Sequence, residues 1–135
     1  MNLTLSQCFV IVHDPEKALA FYRDALGLEL RSDVDKGEFR WIVVGAASQP
    51  GVSICLTNYL NGSPADQEAV AALVAKGALN SVHFQSDDLD AAFEQVRAAG
   101  AEIVEGPTDQ PWGTRDFAVR DPSGNLVRVD QPPAS

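Results

Sequence analysis

The chain's only histidines, cysteines and tryptophans are His13, His83, Cys8, Cys55, Trp41 and Trp112, and their spacing narrows the chemistry open to them. Cys8 and Cys55 each sit alone in an apolar, strand-like run, far from the paired Cys-x-x-Cys spacing of a zinc or redox site. Both are expected to be buried free thiols. His13 directly precedes Asp14, which places it at a rim. His83 alternates with Ser81 on a strand-like run, and a single strand histidine suits a hydrogen-bonded core or cavity residue better than a metal ligand. Ser81, His83 and Asp87 are neighbours along the chain, and the alternating faces of a strand are expected to separate them, so no nucleophile–base pair is predicted. No glycine-rich phosphate loop or nucleotide fingerprint is present.

Binding is better provided for than bond-making. Pro111 and Gly113 fix a loop that presents Trp112, and an indole offers stacking affinity with few polar demands. The alternative is that Trp112 anchors the loop on its own domain. Phe39 and Trp41 share one strand face, which is either core or cavity lining. Gln7 and Phe9 share a face with Ile11, while Cys8, Val10 and Val12 face a helix. Gln7 is then a polar group in an apolar cavity, suited to orienting a ligand. Arg128 could bind a ligand carbonyl or phenolate, or be an exposed edge-strand arginine. Asn58 and Tyr59 are further candidates at a strand end.

Ten basic residues against nineteen acidic give a net charge of −9, which repels phosphate backbones and excludes nucleic acid as a partner. The same charge aids solubility and attracts cations. No apolar run reaches the roughly 18 residues of a membrane helix. The N-terminus has no basic start or small-residue cleavage site, so a cytoplasmic location is expected.

The elements that position these residues come in two similar sets. Residues 6–12 read as a buried strand. Asp14-Pro15-Glu16 then opens a helix with the apolar stripe Ala18, Leu19, Tyr22 and Leu26, ended by Gly27. Strands follow over 28–34, 39–45 and 52–58. A second helix over 64–76, capped by Ser63 and closed by Gly77, connects two halves. In the second half, residues 81–86 are a strand, Asp88 caps a helix ending at Gly100, and strands fall near 101–105, 115–120 and 125–130. Asp121-Pro122-Ser123-Gly124-Asn125 is a hairpin signal. Asp14, Ala18 and Arg23 map to Asp88, Ala92 and Arg97 at one offset of 74. The order strand, capped helix, glycine, three strands occurs twice, which predicts a duplicated βαβββ unit.

The string from Val12 through Phe21-Tyr22-Arg23-Asp24-Ala25-Leu26-Gly27, with Asp87-Asp88-Leu89 and the ending Asp121 to Val127, resembles the vicinal oxygen chelate superfamily of glyoxalases, bleomycin-resistance proteins and dioxygenases. The resemblance covers nearly the whole chain. It implies fold more strongly than function, because the superfamily hosts many activities. Its enzymes hold a divalent metal at positions that fall here on Gln7, Ser81 and Arg128, and the last strand of the first half, residues 52–58, has no carboxylate or histidine. A guanidinium repels a dication and donates no lone pair. The segment Pro111-Trp112-Gly113-Thr114-Arg115-Asp116-Phe117-Ala118 is similar to a stretch of the metal-free, dimeric bleomycin-resistance branch. That similarity implies a ligand-binding role for Trp112, Gly113 and Arg115.

Together these readings predict a single α+β domain over residues 1–135 in which two tandem βαβββ repeats form a curved mixed sheet around a cavity. Repeat one covers about 5–60, the connecting helix about 63–77, and repeat two about 79–132. The expected function is non-catalytic sequestration of an aromatic antibiotic by a cytoplasmic homodimer with ligand clefts at its interface and no cofactor or metal. The expected ligand residues are Gln7, Phe9, Phe39, Trp41, Asn58, His83, Trp112, Gly113, Arg115 and Arg128. A metal-dependent enzyme with non-standard ligands and a metal-free isomerase or cyclase are the alternatives.

Overall fold

Strand, capped helix and three further strands occur in each half, in the order the sequence pattern sets out. The computed structural model describes residues 2–132. In the first half, β1 (Gln7–Ile11) leads into α1 (Pro15–Leu19), which continues without a break as a π-helical stretch, Ala20–Ala25. Then come β2 (Glu29–Asp35), β3 (Arg40–Gly45) and β4 (Ser53–Thr57). Helix α2 (Pro64–Ala75) connects the halves. The second half consists of β5 (Ser81–Gln85), α3 (Leu89–Ala98), β6 (Glu102–Asp109), β7 (Arg115–Arg120) and β8 (Leu126–Gln131).

Local chemistry explains the helix starts. The Asp14 carboxylate accepts from the backbone N–H groups of Glu16 and Lys17, and Asp88 accepts from Ala91. Ser63 and Asp66 exchange a reciprocal pair of bonds around Pro64 at the start of α2. The π-helical stretch brings Phe21 into the core beside Tyr22, their rings edge to face at 5.0 Å. Among the described residues no helix is long and apolar enough to cross a membrane.

The strands form two four-stranded sheets, in the orders β1-β4-β3-β2 and β5-β8-β7-β6. In each, the first strand pairs parallel with the last and the remaining pairs are antiparallel. The repeated order confirms the duplicated βαβββ unit. One face of each sheet carries the helices. Val10, Val12, Leu19, Tyr22, Ile42 and Leu56 from the first half merge there with Leu89, Val96, Phe117 and Val127 from the second in one core. Fully burying each such aliphatic or aromatic side chain contributes about 1.5–3 kcal/mol.

Polar bonds lock the halves together. The buried Tyr22 hydroxyl donates to Asp121 Oδ2 at 2.8 Å, and Asn125 Nδ2 donates to the Ile11 carbonyl at 2.8 Å. The His13 N–H reaches Ser123 Oγ, and Gln95 Nε2 reaches the Ala25 carbonyl. Asp121 Oδ1 also accepts from the N–H groups of Ser123 and Asn125. Asp121 thus organises its own turn and ties it to the other half. In the first half the β3–β4 connection is held by Arg31 instead, whose guanidinium donates to the carbonyls of Val52, Ala46 and Gln49 and to Ser53 Oγ.

Two expectations need correction. Cys8 is exposed and only Cys55 is buried. Cys8 lies on the helix-facing side, but at the outer end of an edge strand, and burial on that side begins at Val10. The strand expected near 101–105 runs on to Asp109. Gly106-Pro107 reads as a breaker, yet β6 is an edge strand that absorbs it through two register shifts.

Candidate functional site

The other face of each sheet is open, and most of the candidate side chains stand on these two faces. Strand register decides which. In the first sheet, Val34, Trp41 and Thr57 lie opposite one another, as do Phe9 and Cys55, so these residues share a face. Tyr59 joins them just beyond β4. Its ring lies 5.2 Å from Phe39, edge on, and 5.7 Å from Trp41. Phe9 is 54% exposed and Tyr59 41% exposed. This first wall is an aromatic surface that the core does not use. Trp41 therefore lines an open face rather than the helix-side core. Gln7 is exposed on the same side of β1 as Phe9. Burial pushes the Cys55 thiol up from its ordinary range, which keeps it protonated and unreactive.

Asn58 has a different part. Its Oδ1 accepts from the Arg40 N–H at 3.0 Å and its Nδ2 donates to the Glu38 carbonyl at 2.9 Å. The amide is spent on closing the β2–β3 turn, which presents Phe39.

The open face of the second sheet is polar. In register, His83 stands beside Arg128, and Arg128 opposite Ala118. Gln85 stands beside Asp130, and Asp130 opposite Asp116. Arg128 Nη1 donates to Asp116 Oδ2 at 3.0 Å. Gln110 Nε2 donates to Asp116 Oδ1 at 2.8 Å and to Glu105 Oε1 at 2.7 Å. Two like charges directly opposite across strands repel, and Arg128 and Gln110 offset that repulsion at Asp116. Arg128 lies on β8, an interior strand, so the edge-strand reading of it does not hold.

The structure also overturns the expectation that strand alternation separates Ser81 from His83. Positions two apart on a strand share a face, and Ser81 Oγ lies 3.1 Å from His83 Nε2.

Trp112 occupies the tip of the β6–β7 connection, 68% exposed. It does not anchor the loop on its own domain. The Gly113 N–H bonds back to the Gln110 carbonyl, and Gly113 has φ +100°, a backbone state that an L side chain would strain. Arg115 is not brought to the open face. It lies on the helix side of β7, with Nη1 3.1 Å from Asp90 at the start of α3.

Sequence reasoning missed the Asp116–Gln110–Glu105 group and gave Tyr59 little weight. A signal existed for Asp116. Counting outward from the Asp121–Asn125 hairpin pairs Ala118 with Arg128 and Asp116 with Asp130.

The donor set does not fit the divalent metal held by many enzymes of this fold. The three aligned positions offer a neutral amide at Gln7, a hydroxyl at Ser81 and a guanidinium at Arg128 already paired with Asp116. Among the described residues no group of three or more His, Cys, Asp or Glu side chains could hold an ion. Two concavities, of about 920 and 580 Å³, lie behind the walls. The first is lined by His13, Lys17, Phe21 and the Asp121–Gly124 turn, the second by Leu26, Ala92 and Phe117. None of the expected ligand residues lines either one.

Comparison with known proteins gives a consistent answer. The model of the glyoxalase/bleomycin resistance protein/dioxygenase superfamily matches residues 4–129. The uncharacterized protein YurT of Bacillus subtilis (strain 168) is 31% identical over 124 residues, 90% of this chain and 94% of that one. The crystal structure of UcmS2 superposes with a TM-score of 0.84 at 30% identity, covering 96% of this chain and 98% of the other. That of TnmS3, an antibiotic binding protein from Streptomyces sp. CB03234, gives 0.74 at 27% identity and 97% of each chain.

Proposed function

Because this chain belongs to the glyoxalase/bleomycin resistance protein/dioxygenase superfamily, we propose that it binds and sequesters an aromatic natural-product antibiotic in the cytoplasm without turning it over. The observation that carries this reading is the aromatic first wall. Phe9, Phe39, Trp41 and Tyr59 form a π surface on an open sheet face, where burial in the core gives no reason for their size. Stacking a flat polycycle there would recover apolar area at about 25 cal/mol per Å². Trp112 supplies a second, projecting indole. The likeness to TnmS3 supports the ligand class.

A single chain leaves both walls bare. We therefore place the cleft between two copies, with the first wall of one protomer facing the second wall of its partner. His83 and Arg128 would then orient ligand oxygens opposite the aromatic surface, and Trp112 would close the edge.

Tryptophan fluorescence titration against an anthraquinone-fused enediyne, a mitomycin and a bleomycin tests the reading. Saturable quenching at micromolar ligand or below, with the ligand recovered unchanged by mass spectrometry, is expected for at least one class. Sedimentation equilibrium should give twice the chain mass. Absence of quenching with all three classes, or loss of the ligand by turnover, would sink it.

A further inference from the structure

The binding reading gives His83 an orienting role and leaves Ser81 without one, yet the two stand within hydrogen-bond distance, as a nucleophile and its base do. We propose that Ser81 and His83 form a nucleophile–base pair that accepts the acyl group of activated aryl esters. Both residues lie on β5, an edge strand, and both are exposed, so a substrate carbonyl can reach Ser81 from the open side. Ser81 Oγ stands 3.1 Å from His83 Nε2, within the reach a base needs to take a hydroxyl proton. In the neutral tautomer with its proton on Nδ1, the imidazole accepts at Nε2. Arg128, beside His83 in register, brings a guanidinium to the same patch. It gives an Nη1 N–H to Asp116. Among the described residues its other N–H groups make no hydrogen bond, which leaves them to meet a developing oxyanion.

The chemistry balances without a cofactor. Ser81 Oγ bonds to the ester carbon as its proton passes to His83 Nε2. The tetrahedral oxyanion collapses, the carbon–aryloxide bond breaks, and the phenol leaves with the proton from His83. Water, giving a proton to His83, then attacks acyl-Ser81; the carbon–Oγ bond breaks, His83 returns the proton to Ser81, and the acid is released. Among the described residues no carboxylate bonds His83 Nδ1, so the imidazole lacks the orienting third group of a full triad. That limits the pair to good leaving groups and makes the acyl-enzyme long-lived, which is why the class is aryl esters.

The test is 4-nitrophenyl acetate with the intact protein. We expect a nitrophenolate burst of one equivalent per chain and a single acetyl group on the peptide containing Ser81. Ser81→Ala should abolish both. Ser81→Cys should restore acylation as a thioester. His83→Gln should slow the burst by about a hundredfold or more, the contribution of a general base. Both side chains are exposed, and circular dichroism checks that each variant keeps the native fold. A burst that persists in Ser81→Ala, or no acylation in the unsubstituted protein, overturns the proposal. The probe is too small to report on antibiotic binding, so its failure leaves the sequestration reading standing, and failure of the antibiotic titration leaves this one.

Discussion

Replacing Tyr22 by Phe should weaken the joint between the halves by an amount that depends on pH in a definite direction. Tyr22 is fully buried and its hydroxyl donates to Asp121 Oδ2, which also accepts from Asn125 Nδ2. A hydrogen bond to a charged acceptor contributes about 1.5–3 kcal/mol, and the remaining Asn125 contact argues for the lower end. Near neutral pH we therefore expect Tyr22→Phe to cost about 1.5 kcal/mol in urea unfolding, with an unchanged m-value. The alkaline limb gives the second half of the test. Burial first, then the negative charge of Asp121 and the bond to it, hold the Tyr22 phenol well above its ordinary value. The folded chain binds this proton more tightly than the unfolded chain, whose tyrosine titrates near ~10. The native protein thus keeps this contribution below about pH 10 and loses about 1.4 kcal/mol per pH unit above it, until the folded phenol ionises. At about pH 11 the gap between native protein and Tyr22→Phe should have narrowed by about 1.4 kcal/mol. A parallel offset at all pH values, or a neutral-pH cost under about 0.5 kcal/mol, would refute the argument.

Four further outcomes are expected. Trp112→Ala should leave stability within about 0.5 kcal/mol, since the side chain is exposed, yet weaken antibiotic binding about tenfold or more in the fluorescence titration. Iodoacetamide should label Cys8 in the native protein and Cys55 only after unfolding, because one is exposed and the other buried with a raised thiol pKa; equal native labelling would contradict the sheet assignment. Asn58→Ala should cost about 1–2 kcal/mol in denaturant melts through the loss of two turn-closing bonds. Arg31→Met should cost about 2–4 kcal/mol, because its guanidinium satisfies carbonyls of Ala46, Gln49 and Val52 at once; a cost under about 0.5 kcal/mol would show that the turn holds itself.

The duplicated βαβββ order, the caps Asp14, Ser63 and Asp88 and the Asp121–Asn125 hairpin were legible in the chain because each is a local event. A cap, a turn residue or an apolar stripe acts within a few positions, and its physics needs no partner from elsewhere. Strand alternation likewise put Gln7 and Phe9 on one face and paired Phe39 with Trp41, but left open whether the Trp41 face was core or cavity, which the pairing of Trp41 with Thr57 decided. Local signals were weaker where context could override them, as at Gly106-Pro107, which an edge strand tolerates, and at Cys8, where a helix-facing position lies beyond the helix's cover. Only the tertiary structure decided what meets across strands and between halves. The Tyr22–Asp121 bond joins residues 99 positions apart, and no periodicity reports on it. Arg128 stood between a ligand-binding arginine and an exposed edge-strand arginine until register set it against Asp116, and Arg115, a ligand candidate by family resemblance, is turned toward Asp90 by β7. The aromatic wall itself needs two strand pairings, β1 with β4 and β4 with β3, to bring Phe9, Trp41 and Tyr59 onto one surface. Sequence fixes which side of its own strand a residue takes, but pairing register, a product of long-range packing, fixes its neighbours, and a binding face is made of neighbours.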